Sequence, residues 1–279
     1  MKNAVKIYTF LTLIFLLLYI VAGLLPGILS DVVRIAAFAL PVALGYVSAK
    51  RLRREREEVA GVAEREYTLF ELQPRSALPL LSVIAPTVLV VFLLSWLTSL
   101  LLGALGFSST TPQDAPLWQM LLVHALMPTV LEEMMFRYLP MKILAPYSRR
   151  TCVMLSSVYF AAIHMNLFQI PYALVAGAIL IVANLALGSV WPSLVLHFVN
   201  NAASVLFIKY SALREFLVAY IVILVGLAVA SLIPILIYRK RYAKRIKYAL
   251  DRGETLTERT APMTVVLLAA AVAIMNLFS

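Results

Sequence analysis

Charge is scarce in this chain and cysteine nearly absent. Asp, Glu, Lys and Arg make up 14% of its 279 residues and hydrophobic residues 62%, whereas soluble domains carry roughly 25% charged and 45–50% apolar residues. A mean hydropathy of +0.92 completes the case against an ordinary water-soluble fold. The one cysteine, Cys152, excludes an internal disulfide. Its mostly apolar neighbours make it a small hydrophobe rather than a nucleophile. No internal repeat of the kind that marks many transporters is visible. Between residues 151 and 208 there is no Asp, Glu, Lys or Arg at all.

In place of charge stands a succession of apolar runs, each near the roughly 20 residues that a membrane-crossing helix needs. The expected spans are 7–28, 32–49, 78–102, 118–144, 151–168, 171–187, 191–208, 214–237 and 262–278. Short segments such as 171–187 can also be tilted, re-entrant or buried, so the count is eight or nine. The unbroken apolar run at 11–18 argues against the alternating strands of a membrane barrel. The expected fold is therefore all-α: a polytopic transmembrane helix bundle, one integral membrane domain over 1–279. The basic start at 1–6, followed by an apolar run, is signal-like. The run continues to residue 25 without a small-x-small cleavage site before Pro26, so it reads as a first span.

The net charge is +10, but no aromatic–basic module interleaves the cations, and no nucleic-acid partner is expected. The cations sit at helix ends and in loops instead. Lys2 and Lys6 precede the first span, and the 50–77 connection carries Lys50, Arg51, Arg53, Arg54, Arg56 and Arg65. Arg149 and Arg150 precede the fifth span; Arg239, Lys240, Arg241, Lys244, Arg245 and Lys247 follow the eighth. The 103–117 loop has no lysine or arginine. This alternation makes 50–77 and 238–261 cytoplasmic basic loops of a multi-pass protein of the cell membrane, its N-terminus in the cytoplasm. Glu55, Glu57, Glu58, Glu64 and Glu66 interleave with the arginines of 51–66, which predicts a solvated helix continuing past the second span. Segment 239–247 reads as an anchor to anionic lipid.

Against this background the segment Glu132-Glu133-Met134-Met135-Phe136-Arg137 stands out, with two carboxylates and a guanidinium inside an apolar span. An ionisable side chain at membrane depth costs on the order of 3 kcal/mol or more, so such groups face a protein interior and mark function. Few partners are on offer: His164, His197, Asn166, Asn184, Asn200 and Asn201. His124, eight residues before Glu132, reads as a helix–helix hydrogen-bonding residue only. Glu132 and His164 each lie about thirteen residues from the same membrane face, roughly 20 Å deep by helical rise. His197 and Asn201 fall roughly 10 and 16 Å in, a gap that tilt can close. Glu133 and Arg137 are i and i+4 and can pair on one helix face. Glu132 points about 100° away, free for another partner. His197 and Asn201, also i and i+4, look into one space.

These groups suit hydrolysis. A carboxylate withdrawn from bulk water can serve as general base, so Glu132 with His164 can activate a water molecule. His197 and the Asn201 amide can donate to the oxyanion of a tetrahedral intermediate, a contribution of about 2.7–4 kcal/mol per donor where measured. Glu133 and Arg137 take a charge-neutralising role.

The order Glu132-Glu133-x-x-x-Arg137, Phe160-x-x-x-His164, His197-x-x-x-Asn201 resembles the three motifs of the CPBP family. That family comprises CAAX prenyl endopeptidases of the Rce1 type and bacteriocin-processing homologues. The resemblance covers about residues 115–205, a catalytic core, and Phe160 enters through it. It implies an intramembrane endopeptidase of glutamate type, with Glu132 and His164 activating water and His197 and Asn201 supporting the oxyanion. It implies as substrate a peptide or a prenylated protein C-terminus, a Cys-a-a-X tail from which the last three residues are removed.

No cofactor is expected, although Glu132, His164 and His197 would make a three-ligand zinc site with an open position. The His-Glu-x-x-His spacing of many zinc peptidases is absent. Asp31, Asp114 and Asp251, the only aspartates, fall outside the expected spans, which excludes a two-aspartate mechanism. The alternative readings are a transporter relaying protons through the buried carboxylates, or a non-catalytic membrane scaffold.

Overall fold

Apolar runs without water to bond their backbone must satisfy it internally, and here they do so as helices. The computed structural model describes residues 3–61, 77–107, 115–144, 149–210 and 215–250, and among these every regular element is helical. Helix α1 is Asn3–Gly23, α2 Gly27–Ala60 and α3 Ala77–Ala104. Helix α4 covers residues 117–143, then come α5 (Arg149–Ile163), α6 (Ile170–Leu187), α7 (Trp191–Lys209), α8 (Leu217–Ile237) and α9 (Arg239–Leu250).

Six of the described helices, α1, α2, α3, α6, α7 and α8, are long and apolar enough to cross a membrane. Two further expected spans take another form. Helix α5 is only 15 residues and stops at Ile163 instead of reaching 168. Helix α4 is interrupted. The expected ninth span, 262–278, lies outside the described residues, as do Asp114 and Asp251. Asp31 falls inside α2 rather than in a loop, because that helix already starts at Gly27. Large apolar side chains remain exposed around the bundle, among them Leu17, Ile28, Trp118, Val218 and Ile237, the surface that lipid tails cover.

Helix α2 is a single 34-residue element closed by Gly61, whose φ of 65° is the left-handed C-cap conformation. Its polar half carries the expected i,i+4 pairs, Arg51–Glu55 at 2.9 Å and Arg53–Glu57 at 2.8 Å. Part of the 50–77 connection is thus helix. Part of 238–261 is helix too, since α9 holds Arg239 to Leu250.

The interruptions of α4 have a local cause. It runs as α-helical pieces Leu117–Leu121, Met127–Glu133 and Leu139–Ile143, joined by π-helical turns at Leu122–Leu126 and Met134–Tyr138. A proline follows each π turn closely: Pro128 and Pro140. A mid-helix proline has no N–H and clashes with the carbonyl four residues back; a wider turn before it relieves that clash. Phe136 therefore has no i+4 amide partner. Its carbonyl instead accepts the Ser156 hydroxyl and, at 3.2 Å, Arg137 Nη1.

Helix α5 is the axis of the core, with Cys152, Leu155, Ser156 and Tyr159 fully buried. Tyr8 of α1 stacks on Tyr159 at 5.3 Å, and Thr9 shares a 2.7 Å hydrogen bond with the Tyr159 hydroxyl. Helix α6 closes against α5 at Gly177. A β-carbon there would stand 3.1 Å from Ser157 Cα and 3.2 Å from Phe160 Cδ1. We expect Gly177→Val to cost about 1–3 kcal/mol through overpacking, read as a lower melting temperature. Unchanged melting would show that α5 and α6 part without strain.

Candidate active site

Arg137 projects from the second π turn of α4 into the core and is completely buried, as is Glu133 one turn before it. Their Nε and Oε2 atoms stand 3.3 Å apart, the ion pair that the i,i+4 spacing suggests. The guanidinium also lies over the Phe160 ring, 4.3 Å from its centroid, and Nη1 contacts Ser156 Oγ at 3.4 Å. Phe160 is a hub. Its ring meets Phe136 at 5.9 Å, His164 at 4.9 Å and His197 at 5.6 Å, all edge-on or nearly so.

His197 comes from α7 and joins the two glutamates. Its Nδ1 is 2.8 Å from Glu133 Oε1 and its Nε2 is 3.7 Å from Glu132 Oε2. A carboxylate only accepts, so Nδ1 carries the proton and Nε2 is the nitrogen turned toward Glu132. The Nε2 distance exceeds hydrogen-bond length, so Glu132 is a neighbour of the ring rather than a bonded partner. Glu133 therefore has two partners, Arg137 and His197, where spacing along one helix showed only the first. Glu132 keeps 14% of its side chain exposed and makes no other ion pair among the described residues.

His164 does not sit within α5 but on the turn that follows it. The His164 N–H reverts to an i−3 bond with Ala161 and Met165 N–H to Ala162, tightening the helix end. Met165 then takes φ 47°, a left-handed value that costs a non-glycine residue energy and is found preferentially at functional sites. Asn166 completes the turn, its side chain accepting the Phe168 N–H at 2.9 Å and its carbonyl the N–H groups of Gln169 and Ile170. His164 Nδ1 donates to the Phe160 carbonyl at 2.8 Å, which leaves Nε2 as a free acceptor. Glu132 and His197 are ionisable neighbours within electrostatic reach of it.

Asn201 lies one turn beyond His197 and accepts from Asn200 Nδ2 at 3.4 Å. That bond occupies its carbonyl oxygen and leaves its NH2 free to donate. His124 is exposed in the N-terminal half of α4. Among the described residues, no three His, Cys, Asp or Glu side chains are grouped as a metal site.

Several participants escaped sequence reasoning. Ser156, beside Arg137, and Ser193, in the first turn of α7, are fully buried; short polar residues in apolar helices give no signal of their own. Tyr172, in the first turn of α6, stands within electrostatic reach of Glu132. Asn184 was visible as a polar residue in an uncharged stretch, but nothing in its spacing named a partner.

A Glu-Glu-x-x-x-Arg turn thus meets a histidine on a second helix, with another histidine nearby at a helix end. Residues 114–203 match the family of Rce1-like type II CAAX prenyl endopeptidases. No curated protein and no solved structure matches the chain. The Rce1-like segment is about a third of the sequence and holds Glu132, Glu133, Arg137, Phe160, His164, His197 and Asn201. The family is one of CAAX-processing proteases, and the apolar helices make this a membrane protein.

Proposed function

We propose that the protein is an intramembrane endopeptidase that removes the C-terminal tripeptide of prenylated Cys-a-a-X substrates. The observation that carries this reading is the convergence of Glu132, Glu133 and His197 from two helices inside the Rce1-like segment. Glu132, partly exposed and without a tight partner, takes a proton from water. His164 Nε2, a free acceptor, orients the same water. The water oxygen attacks the scissile carbonyl, and the negative charge moves to the carbonyl oxygen. His197, held by Glu133 through Nδ1, supports that oxyanion, and the Asn201 NH2 donates beside it. Collapse breaks the C–N bond, and Glu132 returns its proton to the leaving amine. Products are the tripeptide and a new prenylcysteine carboxylate.

A glutamate-type mechanism needs no metal; Glu132, His164 and His197 are the ligands a zinc enzyme would use. The test is purified protein in phospholipid vesicles offered a farnesylated peptide ending in Cys-a-a-X, with the released tripeptide followed by mass spectrometry. Release that depends on the farnesyl group and survives a strong zinc chelator is the expected result. Loss under chelator with recovery on added zinc would replace the glutamate mechanism. No release from any prenylated or unprenylated tail would favour the transporter or scaffold reading.

A further inference from the structure

Helix α7 begins without a cap of its own. Its N-cap residue is Val190, which has no side-chain acceptor, and Pro192 removes one first-turn donor. Each remaining donor of the first turn has a partner. Trp191 N–H reaches Ser189 Oγ at 3.3 Å, Leu194 N–H reaches the Val190 carbonyl at 3.2 Å, and Ser193 N–H reaches Asn184 Oδ1 at 2.9 Å. The third bond comes from another helix. Asn184 lies near the end of α6, and its Nδ2 also donates to Ser193 Oγ at 2.8 Å, while that hydroxyl donates to the Val190 carbonyl at 3.0 Å. The Asn184 carbonyl meanwhile closes α6, accepting Gly188 N–H at 2.7 Å and Ser189 N–H at 3.2 Å. Asn184 and Ser193 are both fully buried.

Ser193 is one turn before His197, so both side chains leave the same face of α7. Both are near Glu133: His197 bonds it at 2.8 Å, and Ser193 stands within electrostatic reach of the same carboxylate. A shift of the first turn would be passed directly to the imidazole. We infer that Asn184 is a positioning residue, a cap supplied by α6 to α7 that sets the depth of His197 against Glu133. Only Asn among the common caps has an acceptor and a donor on one planar group, which the Ser193 amide and hydroxyl both use.

The catalytic part of this inference rests on the proposed protease reading; the positioning part does not. The chain has three histidines, so 15N-histidine NMR of the full-length protein in detergent micelles resolves each ring once His124 and His164 are removed in turn. In the wild type the His197 Nδ1 proton is expected as a hydrogen-bonded signal. Asn184→Ala is expected to broaden or erase that signal and to lower kcat on the farnesylated peptide by about a hundredfold with little change in KM, the scale of a 1 Å misplacement. Asn184→Gln carries the same amide one methylene too far; it is expected to shift the signal while keeping helix content, and decides the matter where Asn184→Ala does not fold. An unchanged His197 signal in the folded variants overturns the inference, whatever their activity. A changed signal in a protein that cleaves no prenylated peptide supports the positioning role and refutes the protease reading instead.

Discussion

Glu132→Gln is expected to lower kcat/KM on a farnesylated tail by about a thousandfold, the middle of the range for losing a general base, with the melting temperature almost unmoved. The asymmetry follows from its surroundings. Glu132 keeps part of its side chain exposed, and its one ion-pair contact among the described residues is His197 Nε2 at 3.7 Å. A neutral amide of the same shape removes the proton acceptor without stranding a buried charge. Glu133 is the contrasting position, fully buried with Arg137 on one oxygen and His197 on the other. Glu133→Gln should reduce activity and stability together, since it leaves a buried guanidinium short of its counter-charge. Paired thermal melts and steady-state kinetics on the two variants read the distinction. Full activity in Glu132→Gln, or a loss of stability matching that of Glu133→Gln, would remove Glu132 from the role of base.

That division was half legible in the chain itself. The Glu133–Arg137 pair follows from i,i+4 spacing, because both residues share one helix and local geometry decides. The same holds for the polar extension of α2, whose Arg–Glu pairs are four residues apart. Contacts between helices are another matter. His197 meets Glu133 across 64 residues of chain, and the depth estimate placed His197 roughly 10 Å from the level of Glu132. Tilt can close a gap of that size, and the two π turns that flank the glutamates change the phase of α4 beside them. Pro128 and Pro140 stood in the sequence, so the signal was present. His164 was placed within a span on hydropathy alone, but Asn166 and the left-handed Met165 end the helix first. The trans cap from Asn184 was not legible, since a lone asparagine in an apolar run names no partner.

Arg137→Met is expected to be the most destabilising single change in the core, at about 3–5 kcal/mol, or a fall in melting temperature on the order of 10 °C. Arg137 is fully buried, and beyond its ion pair it supports the Phe136 carbonyl, Ser156 and the face of Phe160. Its removal strands Glu133 with His197 as the remaining charge partner and withdraws the cation from the ring on which both site histidines rest. The double variant Glu133→Gln/Arg137→Met is the decisive companion. With both charges gone the desolvation penalty disappears, and melting is expected to recover well above that of Arg137→Met alone, a non-additivity that residues in contact show. Catalysis should not recover with it, because an amide in place of the Glu133 carboxylate no longer anchors the His197 ring through its Nδ1. A double variant melting below Arg137→Met would show that the pair adds stability beyond neutralising its own charges. A double variant regaining activity would show that His197 acts without Glu133.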